Sequence, residues 1–381
     1  MKNKPKRLRI GIIFGGRSAE HQVSLVSAAS VMKALDKKKY VLLPIGISPE
    51  GKWLSSPDAL MKLKSGMGAG TSGSRILSPD PASKSLLEIK RAPRYDNAAP
   101  IDVIFPVLHG TFGEDGTIQG LFELAGIPYV GAGVLGSAAG MDKVITKQLC
   151  QQAGIPVTPY IWFLFRDFKK SPKSLVSRIE KKFIYPCFVK PANSGSSIGI
   201  SKAHDRKELL SSIKTAARYD RKILIEKCIQ GGREIEVSVL GNDDPVASVP
   251  GEIISSNEFY DYDAKYVDGK SRSVIPAKLP RGVAKKLRQY AVRSFKAVDC
   301  AGMARVDFLL ERGSNKIVFN EINTIPGFTS ISMYPKLWEA SGIGYGELLD
   351  RLIELALERW REKIKFKTAF RPKKDWYKNE S

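Results

Sequence analysis

Apolar positions recur with two different periods along the chain. Leu8 to Phe14 is a nearly unbroken apolar run closed by Gly15-Gly16, the pattern of a strand covered on both faces and followed by a tight turn. From Ser18 onward, Val23, Val26, Val31 and Leu35 return at helical spacing and predict an amphipathic helix. Val41 to Ile47 and Ile101 to Leu108 supply further strands, with a long connection over residues 52–100 that is richer in Gly, Ser and Pro. A strand, a helix and further buried strands predict an open α/β sheet.

A second unit starts near residue 137 with a helix through Cys150. It continues with a strand at Ile161 to Phe165, a basic helix and a strand at Tyr185 to Lys190. A Gly/Ser loop, a strand at Ile198 to Ser201, a helix from Asp205 and a strand at Ile223 to Lys227 follow. The rest predicts strands at 233–241 and 246–254, a polar loop at 257–271, a helix near 283–298, two strands within 303–322 and a closing helix from Tyr345. The expected boundaries are 1–136, 137–230, 231–365 and a basic tail over 366–381. No internal repeat is visible.

Composition sharpens this picture by exclusion. A chain of 381 residues with 43% hydrophobic positions has ample core for two or three units. No apolar run reaches the ~18 residues of a membrane helix, and Ile10 to Phe14 is too short for a signal peptide. A cytoplasmic protein without membrane contact is expected. Cys150, Cys187, Cys228 and Cys300 lie far apart with no Cys-x-x-Cys pair, which argues for buried thiols over zinc or a disulfide framework. The net charge of +22 raises nucleic acid as a partner. The basic residues, however, cluster in the tails and in short runs and form no continuous stripe through the chain. A solvated surface that attracts anionic substrates fits better.

Four stretches carry candidate chemistry. Met303 to Leu310 and Lys316 to Ile322 flank a turn at Glu311 to Asn315 and predict a hairpin. Centring it on Ser314 sets Asp307 opposite Glu321 and Arg305 opposite Asn323 on one face, with Val306, Phe308, Val318 and Ile322 on the other. Two carboxylates and an amide suit magnesium, and a surface ion pair to Arg305 is the equal alternative. Lys190, followed by Pro191 to Gly199, can bring an ammonium and backbone N–H groups to phosphates, although a plain Gly/Ser hairpin turn also satisfies the pattern. Lys143 opens a helix in Met141-Asp142-Lys143. Ile225-Glu226-Lys227, followed by Glu234, puts two acids, Glu226 and Glu234, near a strand end, able to accept from an amino group and ribose hydroxyls.

Taken in order, lysine helix, lysine strand with glycine loop, acidic strand and the hairpin ending Asn320-Glu321-Ile322-Asn323 resemble the ATP-grasp superfamily. Longer stretches narrow the resemblance. Gly15-Gly16-Arg17-Ser18-Ala19-Glu20-His21-Gln22-Val23-Ser24, Leu108-His109-Gly110 with Gly113-Glu114-Asp115-Gly116, Phe259 to Tyr266 and Asn323 to Ser332 look like D-alanine–D-alanine ligases. The likeness covers roughly residues 8–360. It implies a three-domain α/β ATP-grasp architecture, with an N-terminal open parallel sheet and two α+β units clasping ATP.

By that resemblance, Lys143 and Lys190 contact ATP phosphates, covered by the loop through Ser196 and Ser197. Glu226, Lys227 and Ile229 sit at the adenine, Glu234 at the ribose and Phe259 against the ring. Asp307, Glu321 and Asn323 hold two magnesium ions, for which manganese can substitute. Glu20 receives the ammonium of the first D-alanine, with His109 close by. Ser196 and Tyr266 lie near its carboxylate, and Lys265 helps neutralise the transferred phosphoryl group. Arg305 and the Gly327 N–H are oxyanion donors, while Ser332 and Met333 position the second substrate. The loop from Asn257 to Lys270 reads as a lid that keeps water from an acyl phosphate. D-alanyl-D-lactate or D-alanyl-D-serine are the alternative products. Tyr266 after Lys265 favours the dipeptide, and Met333 beside Ser332 leaves D-serine open. A homodimer is implied by the resemblance, and the base for the second amine stays unassigned. The basic tail after Lys365 matches no motif of the family.

Overall fold

The computed structural model describes residues 7–66, 74–89, 100–229, 231–254 and 272–369. The polar loop, and with it Phe259, Lys265 and Tyr266, lies outside the described residues.

The apolar run at the start forms β1 (Leu8–Gly15), which pairs in parallel with β2 (Tyr40–Ile47) and β6 (Val103–Val107). β3 (Trp53–Ser55) adds antiparallel to β2, giving the order β3-β2-β1-β6. α1 (His21–Ala34) buries Val23, Leu25, Ala28 and Val31. Val26, expected on that face, is 50% exposed. At about 100° per residue it sits a quarter-turn from Leu25, which takes the core position. The long connection has structure of its own: α2 (Ala59–Lys64) and a hairpin of β4 (Ser74–Leu77) with β5 (Leu86–Ile89).

After α3 (Thr117–Leu124), the single helix expected through Cys150 is two, α4 (Val134–Met141) and α5 (Lys143–Gln152). Asp142 separates them. Its backbone is extended and its carboxylate accepts from the N–H groups of Val144 and Ile145, so it caps α5 and leaves Lys143 as the first helical residue.

The central sheet has the order β7-β10-β8-β9, from β7 (Tyr160–Leu164), β8 (Cys187–Pro191), β9 (Ser201–Ala203) and β10 (Lys222–Lys227). α6 (Phe165–Lys170), α7 (Pro172–Lys182) and α8 (Arg206–Ala216) accompany it, and Val189, Ile213 and Ile225 lie in its core. The second strand starts at Ser201 instead of Ile198, so the Gly/Ser segment is a longer loop than the pattern suggested.

The third sheet runs β14-β13-β11-β15-β16, with β12 beside β11. Its strands are β11 (Arg233–Gly241), β12 (Val246–Ala247), β13 (Gly251–Ile254), β14 (Arg272–Val274), β15 (Gly302–Leu310) and β16 (Ile317–Asn323). α9 (Arg281–Ala297) packs Leu287, Ala291 and Phe295 against it. α10 (Met333–Glu339) and α11 (Tyr345–Lys363) follow. α11 shares one apolar cluster with β1, α1, Phe328 and Tyr334, so the C-terminal helix is packed into the same core as the N-terminal sheet. Lys39 and Asp350 add an ion pair of 2.6 Å across that contact.

The β15–β16 hairpin has the expected partners at the four candidate residues: Arg305 opposite Asn323 and Asp307 opposite Glu321. Beyond them the register shifts, with Phe308 opposite Phe319 and Leu309 opposite Val318. Asn320 is the extra residue of a bulge. An inserted residue reverses the alternation past it, so Val318 falls in line with Leu309 and not with Phe308 as expected. Phe319 and Ile317 take the core positions instead. The outer edge of β16 meets the segment before β7: Val157 bridges Phe319 in parallel, and the Phe319 N–H donates to Pro156 at 2.7 Å.

Candidate active site

Two cavities meet at the cavity face of β11 and β15. The larger, about 400 Å³, lies between the central and third sheets and is lined by Lys190, Ser197, Glu226, Lys227, Ile229 and Glu234 among others. The smaller, about 260 Å³, reaches the N-terminal unit and is lined by Glu20, His109, Ser196, Gly327, Ser332 and Met333. Glu236, Arg305 and Glu321 line both. Most of the described residues expected at the nucleotide therefore fall into one space and those expected at the amino acids into the other, with Lys143 lining neither.

In the larger cavity, β8 ends with Lys190, whose Nζ lies 2.6 Å from Glu226 Oε2 and donates to Asn320 Oδ1 at 3.2 Å. Glu226 comes from β10, opposite Phe188. Burial opposes its charge, but Lys147 and Lys190 outweigh that and bring the carboxyl down to about 2. Lys190 is held above the usual ammonium range by Glu226, against the opposing effect of burial.

Lys143 lies in the narrow gap beside Glu321 and Asn323, not in the lining of the larger cavity. Its Nζ donates to the Ser194 carbonyl at 2.6 Å and stands 3.5 Å from Glu321 Oε2. The loop after β8 is anchored further by Asn193, whose backbone and side-chain N–H groups donate to Asp220 at 2.8 and 2.7 Å. Ser196 and Ser197 both adopt left-handed backbone, φ +46° and +59°, a conformation that costs non-glycine residues of order 1–3 kcal/mol and clusters at functional loops.

On the other side, Ser196 Oγ donates to Glu20 Oε1. Gly110, at φ +73°, and Gly195 flank the Glu20 carboxylate so closely that a Cβ at either would collide with it. Glu114 accepts from the Gly110 N–H at 2.8 Å and the Ile325 N–H at 3.0 Å. Burial, with the Glu20 charge nearby, pushes its carboxyl up to about 8. His109 bridges the Ile325 carbonyl and Ser27, and burial lowers its basicity. Ser332 Oγ lies 2.8 Å from Thr329 Oγ1 and accepts from the Thr329 N–H at 3.0 Å.

At the junction, Arg305 donates from Nε and a terminal nitrogen to the two oxygens of Asp307 at 2.8 and 2.7 Å. Its Nε also stands 3.1 Å from Glu236 Oε2. Although burial works against the guanidinium charge, Asp307 and Glu236 keep it well above its usual range. Asn323 Nδ2 donates to Asp307 Oδ2 at 3.2 Å.

Three contributors escaped the sequence reading. Glu236 lies opposite Asp307 across β11 and β15, and strand alternation from Glu234 was the signal for it. Lys147 is one helical turn from Lys143, a spacing that puts both on one helix face. Asn320 reaches Lys190 only because of the bulge, for which the sequence holds no clear mark.

Two sheets closing on a cleft of about 400 Å³ lined by lysines and carboxylates, beside a second polar cavity, are the architecture of an ATP-grasp ligase. Residues 9–132 match the family described as "D-ala D-ala ligase N-terminus" and residues 149–354 that described as "D-ala D-ala ligase C-terminus". The chain is 50% identical over 368 residues to the D-alanine–D-alanine ligase of Acetivibrio thermocellus, spanning 94% of this chain and 98% of that one. It is 52% identical over 365 residues to that of Heliobacterium modesticaldum, covering 96% and 98%. Solved structures with the same fold include the VanG D-Ala:D-Ser ligase from Enterococcus faecalis (TM-score 0.81, 38% identity, 92% of this chain and 100% of that one). The D-alanine–D-alanine ligase from Coxiella burnetii aligns with TM-score 0.80 and 37% identity over 94% and 96%. The chain belongs to the D-alanine–D-alanine ligase family and is an ADP-forming ligase that uses ATP. Among the described residues, no helix is long and apolar enough to cross a membrane.

Proposed function

We propose that this enzyme joins two D-alanines into D-alanyl-D-alanine, a peptidoglycan precursor, through an acyl phosphate. The observation that carries the reading is the junction: Arg305, Glu236 and Glu321 border both the lysine-lined cavity and the one holding Glu20 and Ser196. Relatives about 50% identical are D-alanine–D-alanine ligases, which favours the dipeptide over the depsipeptide or D-serine product.

In this reading Lys143 and Lys190 bind ATP phosphates, with the Ser196–Ser197 loop over them. Glu226, Lys227 and Ile229 hold the base, and Glu234 the ribose. Glu20 takes the ammonium of the first D-alanine, beside His109, and Ser196 orients its carboxylate. That carboxylate attacks the γ-phosphorus and ADP departs, so positioning and charge neutralisation are the main demands on the protein. The second amine then attacks the acyl carbon. Arg305 and the Gly327 N–H receive the oxyanion, Ser332 and Met333 place the second substrate, and inorganic phosphate leaves.

Asp307, Glu321 and Asn323 fit a hard divalent cation. They are oxygen-bearing side chains brought together by the β15–β16 register, and Arg305, which now takes both Asp307 oxygens, must yield one of them to a metal. Magnesium there would neutralise charge on the nucleotide phosphates. Asn323 now gives its amide nitrogen to Asp307, so the amide must turn over to present oxygen to a metal. Unit boundaries near 136 and 230, a cytoplasmic setting and a homodimer complete the reading. Exposed Leu124, Val134 and Leu135 on the packed α3 and α4 support the dimer with apolar surface.

Phosphate release from ATP, with D-alanine alone or paired with L-alanine, D-lactate or D-serine, tests the assignment. D-alanine alone is expected to sustain turnover. Absence of D-alanine-dependent release, or a clear preference for D-serine or D-lactate as second substrate, would overturn it.

A further inference from the structure

Lys147 is a buried cation that the proposed chemistry leaves without a task. It is 1% exposed, on the same face of α5 as Lys143, and its Nζ lies 2.7 Å from Glu226 Oε1. The ammonium also donates to the Asn320 carbonyl at 3.0 Å and stands 5.7 Å from the centre of the Phe319 ring. Lys190 approaches the other carboxylate oxygen. Glu226 is therefore gripped at both oxygens, by α5 on one side and by the phosphate-loop strand on the other.

Cohesion alone does not explain a lysine here. A buried ion pair is often no more stabilising than apolar side chains of the same volume, and α5 and β16 could have been joined that way. What the pair adds is a defined direction. Glu226 is held at both oxygens and its side chain lines the larger cavity. A carboxylate has about four acceptor sites on its two oxygens, so a donor entering that cavity meets an acceptor whose position is already fixed.

We propose that Lys147 is a positioning residue that sets nucleobase choice, fixing the Glu226 carboxylate as an acceptor for a purine carrying a 6-amino group. A 6-oxo purine would bring oxygen toward a fixed carboxylate and be rejected by repulsion, the negative half of specificity. The inference rests on reading the larger cavity as the nucleotide site.

Kinetics with ATP and ITP at saturating D-alanine test it in the wild type, Lys147→Met, Glu226→Gln and the double variant. Lys147→Met is expected to raise KM for ATP about tenfold, to change kcat less than about threefold, and to cut the ATP-over-ITP preference in kcat/KM about tenfold. Added to Glu226→Gln, it should shift that preference less than about twofold, because the two residues act as a unit. Lys147→Gln keeps a donor for the Asn320 carbonyl and is expected to be intermediate. It carries the test if the Met variant does not fold, as judged by circular dichroism and melting. Failure of both variants to fold, or a lower kcat or Tm with the ATP-over-ITP ratio unchanged, would show a purely structural lysine and overturn the proposal. If Glu226→Gln shifts the ratio and Lys147→Met does not, the proposal alone fails. If Glu226→Gln leaves the ratio unchanged, the base-site reading fails and the proposal falls with it.

Discussion

Ser196 Oγ donates a hydrogen bond to Glu20 Oε1, which ties the loop after β8 to the start of α1. The two residues are far apart in sequence and belong to different sheets' surroundings, yet they close one wall of the smaller cavity. Ser196→Ala removes a hydrogen bond to a charged group. A loss of about ten- to a hundredfold in kcat/KM for D-alanine is expected, with a much smaller change in KM for ATP. Phosphate release with each substrate varied in turn measures both.

Glu321→Gln tests the metal assignment. The amide is a poorer ligand for a hard cation, so half-maximal magnesium should rise at least about tenfold and activity should fall with it. Chelation should abolish wild-type turnover, and magnesium or manganese should restore it. Near-normal turnover and magnesium dependence in the variant would remove Glu321 from the ligand set.

Arg305 answers two carboxylates, Asp307 and Glu236. Truncation to Ala leaves both without their guanidinium partner at a largely buried position, with an expected destabilisation of about 3–5 kcal/mol. Arg305→Lys keeps the charge but not the fork that spans both Asp307 oxygens. It should fold and melt closer to wild type while losing most of kcat. Thermal denaturation beside steady-state kinetics separates the two effects.

Glu226 gives a pH signature. Its folded carboxyl sits at about 2 against an ordinary value of 4.5, so the folded state binds this proton less readily than the unfolded chain. The stability it contributes is complete above about 4.5 and is lost as pH falls toward 2. The gap in melting temperature between wild type and Glu226→Gln should therefore close over that window. A gap that stays constant on acidification would contradict the ion pairs with Lys147 and Lys190.

Strand alternation was enough to pair Asp307 with Glu321, and a run of Ile and Phe enough to place β1, because both patterns are local. The split of α4 from α5 was visible in principle, since Asp142 is a strong cap, but helical periodicity runs through it. The bulge at Asn320 was not visible: symmetric counting from the turn cannot show an inserted residue. Glu236 and Lys147 acquire their partners only across β11–β15 and α5–β10. Val26 failed for another reason, as its neighbour Leu25 competes for the same core face. The roles of individual residues came from resemblance, and the structure adds which of them share a space.

β16 is the last strand of its sheet, and strands in that position can recruit another chain through unpaired backbone groups. Here the Pro156–Thr158 segment covers it at Phe319, next to the residues proposed to hold the metal. The linker into β7 thus acts as a guard against aggregation, and loosening it would expose the edge of the β15–β16 hairpin to self-association before Asp307 or Glu321 moved.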